Sequence, residues 1–123
     1  MANALLRRRI TPGTPEYGKS FEQFIVLETF AAMFYDRRIE KLAVWRSASG
    51  YEVDLLIDRH TAVEVKSGRV HPTDCAGLLA LSEDLKLKNR WIVCTETHAR
   101  RLDNGIEVIP WRTYLERLSS LSS

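Results

Sequence analysis

The sequence predicts an α/β fold, one mixed β-sheet flanked by helices in the order α-β-β-β-α-β-β-α. Three observations carry that expectation. A strongly apolar helical run occupies Gly18 to Tyr35. Three short runs of strand character lie between Leu42 and Lys66, separated by turn residues. A helical stretch from about residue 73 to 87 then precedes RWIVCT, residues 90–95. That continuous apolar run is the pattern of a strand buried on both faces, and the helix has the length of a crossover to a parallel strand.

Composition bounds the rest. The chain has 123 residues, enough for one domain with a sizeable core. Its net charge is +2, so any basic footprint for nucleic acid must be local. Cys75 and Cys94 stand far apart, with no CxxC and no His at ligand spacing. They read as reduced core residues of a cytoplasmic protein, not as zinc ligands or a disulfide framework. No apolar run reaches the length of a membrane span, and MANALLRRRI has the reverse order of a signal peptide.

Residues 1–17 form a basic segment or linker, with Arg7-Arg8-Arg9 and the breaker Pro12-Gly13-Thr14-Pro15. The arginines read either as a solvated patch or as contacts to a phosphate backbone. The domain proper runs from 18 to 118. Its first helix has Ser20 as the expected N-cap. Phe21, Phe24, Ile25, Ala32 and Tyr35 form its apolar stripe, widened by Leu27, Phe30, Ala31 and Phe34. A helix so apolar is expected to pack on two sides. Glu22 lies in its first turn, where the dipole favours a carboxylate; Glu28 is the competing acid.

Leu42 to Arg46 is the first strand, and Ser47-Ala48-Ser49-Gly50 the turn after it. Two strands follow, through Lys66. Pro72-Thr73-Asp74 opens the second helix, which packs through Leu78, Leu81 and Leu85. The fourth strand is 90–95. Asn104-Gly105 is a turn, Ile106 to Ile109 the fifth strand, and Trp111 to Leu118 the last helix; residues 119–123 are a tail.

The stretch from Trp45 to Ser67 carries the chemistry. Side chains alternate along a strand, so Glu64 and Lys66 share one face while Val63 and Val65 take the other. A three-residue turn at Asp58-Arg59-His60 would pair Ile57 with Thr61 and set Asp54 opposite Glu64, about 5 Å apart between Cβ atoms. Like charges so placed repel, and a divalent cation converts the repulsion into binding, because Mg²⁺ prefers carboxylate oxygens. A two-residue turn at Arg59-His60 would instead set Asp54 opposite Val65. An exposed hairpin with ordinary charges is the competing reading.

The element order resembles the PD-(D/E)XK nuclease superfamily. The matching residues are Gly18-Lys19-Ser20-Phe21-Glu22, Glu52-Val53-Asp54 and Glu64-Val65-Lys66-Ser67. YGKSFEQFIVLE, WRSASGYEVDLLI and AVEVKS resemble, more narrowly, the nuclease-like module found C-terminal to prokaryotic AAA-type ATPases. The resemblance spans about residue 3 to Trp111. It implies a restriction-endonuclease-like core in which Asp54 and Glu64 hold Mg²⁺ (or Mn²⁺), Glu22 completes the metal site from the helix, and Lys66 orients the attacking water or offsets phosphate charge. The partners it implies are DNA, an ATPase domain or partner chain, and a second copy of this chain. Where related nucleases often place Gln or Tyr in the helix after ExK, this chain has Cys75, Leu78 and Leu79. A non-catalytic interaction module of an ATPase system is therefore the alternative function.

A third reading is nucleotide binding at Gly13 to Ser20, GTPEYGKS, a formal GxxxxGK[ST] match. Such a loop needs a buried strand before it, and three arginines and Pro12 interrupt the preceding residues. His60, in the turn, and His71, just before Pro72, read either as exposed loop residues or as neighbours of the site, and His98 with Arg100-Arg101 reads as a basic surface. Trp45, Trp91 and Trp111 read as core or rim packing. Lys86, Lys88 and Arg90 form a basic stretch that faces DNA or water.

Overall fold

The computed structural model describes residues 15–36 and 39–121. Helix α1 spans Pro15–Asp36 and starts three residues before its expected beginning. Proline suits a first helical position, since its fixed φ fits and its missing N–H would have no helical partner. Ser20 consequently lies inside the helix and is not its N-cap; its Oγ is buried with no hydrogen-bond partner.

Six strands form one sheet: β1 (Leu42–Arg46), β2 (Glu52–Ile57), β3 (Thr61–Lys66), β4 (Asn89–Cys94), β5 (Arg100–Arg101) and β6 (Glu107–Pro110). Their spatial order is β1-β2-β3-β4-β6-β5. The first three are an antiparallel meander; β4 joins β3 in parallel, β6 joins β4 in parallel, and β5 runs antiparallel on β6. The crossover to β4 is a 3₁₀ turn, Pro72–Cys75, followed by α2, Ala76–Asp84. Helix α3, Trp111–Ser120, closes the fold. The expected α/β order is therefore present, with one addition: the two-residue edge strand β5.

The sheet separates two cores. On one face Phe21 and Ile25 of α1 and Tyr114 and Leu118 of α3 pack on Leu55, Ile57, Val63, Trp91, Val93 and Ile109. Thr29, fully buried, ties those helices together. Its hydroxyl donates to the Ile25 carbonyl at 2.8 Å, and the Tyr114 hydroxyl, 2.7 Å away, donates to it. On the other face Cys75, Leu78 and Leu81 pack on Val53, Leu56, Ala62, Ile92 and Val108. Gly77 lets α2 reach the sheet: a Cβ there would collide with the Glu52 carbonyl oxygen.

Helix α1 is covered on one side only, contrary to expectation. Phe34 and Tyr35 are 68% and 86% exposed, and Phe24, Leu27 and Phe30 also face outward. Phe21, Ile25 and Thr29 are the buried residues of the side that meets the core, Val26, Ala32 and Met33 pack beside them, and Phe24 meets Trp111 edge-on at 5.5 Å. Among the described residues no helix is long and apolar enough to cross a membrane.

Candidate functional site

The β2–β3 hairpin has the three-residue turn. Ile57 pairs with Thr61, Leu56 with Ala62 and Leu55 with Val63, which sets Asp54 against Glu64. Asp58 and Arg59 adopt positive φ, 51° and 62°, to close it. The Asp58 side chain also accepts hydrogen bonds from the Glu40 and Lys41 amides, which ties the turn to the segment before β1.

On its other edge β2 is irregular. Ala43 pairs with Leu56 and Trp45 with Val53, so Asp54 and Leu55 together face the single residue Val44. This is a β-bulge, which bends a strand and re-aims its side chains. Val53 and Leu56 consequently point into the α2 core, Leu55 and Ile57 into the opposite one. The bulge falls at the acid that the sequence singled out.

Past Leu55 the carboxylates substitute for the strand ladder. Asp54 Oδ2 accepts from the Val65 amide at 2.8 Å, and Glu64 Oε1 accepts from the Asp54 amide at 3.2 Å. Each acid thus holds the other's strand in place through one oxygen. Burial, followed by the Asp54 charge beside it, pushes the Glu64 carboxyl up to about 8. Glu22 is also raised, by burial first and then by Asp54 and Glu52. The three acids therefore act on one another. Glu28 does not join them: it lines a small cleft with Ala31, Tyr35 and Leu115.

Glu22 is brought over the hairpin by a close helix–loop contact. A Cβ on Gly18 would lie 3.2 Å from Ser67 Oγ, so the first turns of α1 rest on the residue after Lys66. From there a groove of about 490 Å³ runs between α1 and the β1–β2 edge, with Glu22 and Asp54 in its wall and Val26, Phe30 and Val44 among its apolar lining.

Lys66 shares the register of Glu64, as expected, and Val63 and Val65 pack into the opposite core. Its ammonium lies 3.8 Å from Asp74 Oδ1, in the 3₁₀ turn. Asp74 also accepts from the His71 amide at 2.7 Å. In the sequence Asp74 reads only as a helix start; its signal, an acid two residues after Pro72, is that of a cap, and the Lys66 contact depends on tertiary structure.

Among the described residues no group of three or more His, Cys, Asp or Glu side chains is arranged to hold a metal ion. The donors that do converge are two carboxylates, each with one oxygen committed to a backbone amide. That set fits Mg²⁺ or Mn²⁺, which keeps several waters and is commonly bound through one or two carboxylates. It is a poor set for Zn²⁺, whose protein sites ordinarily gather three or four ligands that include His or Cys, and no such group occurs among the described residues.

The other candidates resolve differently. Pro15 to Ser20 are helical, so they form no loop that could wrap a phosphate; Gly13 and Thr14 lie outside the described residues, as do Arg7-Arg8-Arg9. His60 is not simply an exposed loop residue: its Nδ1 bonds Thr61 Oγ1 at 2.6 Å, and its Nε2 is buried with no partner. Trp91 is core, and Trp45 and Trp111 are partly buried against the two cores. Arg90 has a structural use, donating to the Asn104 carbonyl at 2.8 Å beneath the Gly105 turn; Lys86 and Lys88 are exposed.

A family model described as a domain of unknown function (DUF4143) matches residues 17–114. No curated protein and no solved structure matches the chain.

Proposed function

The chain belongs to the DUF4143 family, and we propose that it is a divalent-cation-dependent nuclease-like domain that hydrolyses DNA phosphodiester bonds. The observation that carries the reading is the opposition of Asp54 and Glu64 at a bulge, with Glu64 held up to about 8. Each acid braces the other's strand through one oxygen, and a carboxyl pushed up by burial and a neighbouring acid marks a place where a cation would relieve the repulsion. With Mg²⁺ bound, the cation would polarise a phosphate oxygen and lower the pKa of a water. Asp54 and Glu64 supply its carboxylate oxygens, and Glu22 adds negative charge from α1. Lys66, from the same face as Glu64, places an ammonium where phosphate charge accumulates. Asp74, 3.8 Å from the ammonium, biases the direction from which it approaches.

Nicking of supercoiled plasmid in Mg²⁺ or Mn²⁺ tests this. Cleavage by the wild-type chain, lost in Asp54→Asn, Glu64→Gln and Lys66→Ala, is the expected result. Absence of cleavage across duplex, single-stranded and branched DNA would refute it.

One observation favours a second reading. Where related nucleases often place Gln or Tyr after β3, Cys75 and Leu78 are buried in the core and Leu79 is apolar, so Asp74 is the polar group that this segment turns toward Lys66. A non-catalytic module would then serve an AAA-type ATPase system, with which this family is often found. Cation binding without cleavage distinguishes it from the first.

A further inference from the structure

Helix α1 carries two apolar stripes, and the fold uses one. Phe21, Ile25 and Thr29 face the sheet. Leu27, Phe30, Ala31 and Phe34 recur at i, i+3, i+4 and i+7 on the outward side, with Phe24 and Tyr35 on its flank. Phe30 and Phe34 stack on each other, their centroids 6.4 Å apart, so the stripe presents an ordered aromatic surface. A helix that is apolar all round is ordinarily a buried one.

The size of this face can be set against what an interface needs. Phe24, Leu27, Phe30, Phe34 and Tyr35 are 39%, 56%, 40%, 68% and 86% exposed. With ~200 Å² for an aromatic side chain, they present on the order of 600 Å² of apolar surface. The largest patch of an ordinary monomer is ~300–600 Å². A stable interface buries ~800 Å² per partner, polar rim included. Val44 on the edge strand β1, 65% exposed, borders Phe30 and extends the patch across the groove.

We propose that the outward face of α1 is a homodimer interface, in which α1 of one copy packs antiparallel on α1 of a second across a two-fold axis between Phe30 and Ala31. The exposed area approaches what one partner of a stable dimer buries, and the spacing of the stripe admits a second copy. Positions 27, 30, 31 and 34 map onto themselves when the helix is reversed about its midpoint, which is what a two-fold axis requires. Reversal sets Leu27 of one copy against Phe34 of the other, and bulky Phe30 against small Ala31. Antiparallel helices also oppose their dipoles favourably. Clefts flank the stripe on both sides, one at Ala31, Tyr35 and Leu115 and one at Met33, Phe34 and Ile39, and they can receive the facing side chains. The inference does not rest on the nuclease reading, although Phe30 and Val44 also line the groove that holds Glu22 and Asp54.

Sedimentation velocity on the full chain, from about 1 to about 100 µM, tests the interface. The wild type should shift from monomer to dimer. Leu27→Glu and Phe34→Lys, at exposed sites, should each weaken self-association more than ~10-fold while leaving the thermal unfolding profile intact. Mixing the two variants should restore a dimer, because the carboxylate introduced in one chain then faces the ammonium introduced in the other. A wild type that stays monomeric throughout overturns the proposal. So does a mixture that fails to associate when the wild type dimerises. A monomer that dimerises only after residues 1–14 are removed assigns the face to the chain's own N-terminal segment, and also overturns it.

Discussion

Replacing Glu64 by Gln should make the metal-free protein more stable at pH 8 and change little at pH 5. Glu64 sits half-buried against the Asp54 carboxylate, and its carboxyl is raised from 4.5 to about 8. A carboxyl raised in the folded state binds its proton more tightly there than in the unfolded chain. Its contribution is fully present below pH 4.5 and is lost as pH rises through about 8. At ~1.4 kcal/mol per pH unit the ceiling is ~5 kcal/mol. Glu64 retains access to water, and screening brings the working figure to ~2 kcal/mol. Gln reproduces the protonated shape, since its oxygen can still accept from the Asp54 amide and its NH₂ can donate to the Asp54 carboxylate. Thermal unfolding in chelator should therefore show Glu64→Gln melting about 6–10 °C above wild type at pH 8, with the two converging at pH 5. Mg²⁺ should raise the wild-type melting temperature at pH 8 and not that of the variant. Equal destabilisation by Gln at both pH values would refute the reasoning, because it would mean that Glu64 is an ordinary ionised surface acid.

Other substitutions test the frame around the site. Gly77→Ala should destabilise by about 3 kcal/mol in denaturant unfolding, because its methyl would collide with the Glu52 carbonyl and push α2 off β2. Tyr114→Phe should cost about 1 kcal/mol by the same measurement, since Thr29 loses the buried phenol but keeps its bond to Ile25. Asp74→Asn preserves an acceptor for the His71 amide and removes the Lys66 ion pair. That pair is long and its Lys is 41% exposed, so the nicking rate should fall only about two- to five-fold. Lys66→Ala should remove far more.

The sequence singled out Asp54 and Glu64, which the fold brings together, and left their stereochemistry hidden. Period-two alternation separated Glu64 and Lys66 from Val63 and Val65, but the register stayed open between two turns, and only the pairing of Ile57 with Thr61 selects Asp58-Arg59-His60. Nothing in EVDLLI announces a bulge, because the extra residue is defined only by pairing with β1. Asp74 was hidden for a similar reason: its partner Lys66 lies on another element, and only the folded chain brings the two together. Strand β5 has two exposed arginines and no apolar pattern, and it exists through pairing with β6. Ser20 read as a cap from local chemistry, but Pro15 had already started the helix. The two-sided packing expected of α1 assumed that a single chain buries every apolar face, and Leu27, Phe30 and Phe34 stay outside.

A crystal of the chain grown in Mn²⁺ and measured at the manganese edge tests the central claim most directly. The account predicts one anomalous peak per chain within bonding distance of Asp54 and Glu64. Density showing those two carboxylates bare in saturating Mn²⁺, or the ion bound elsewhere, would contradict it.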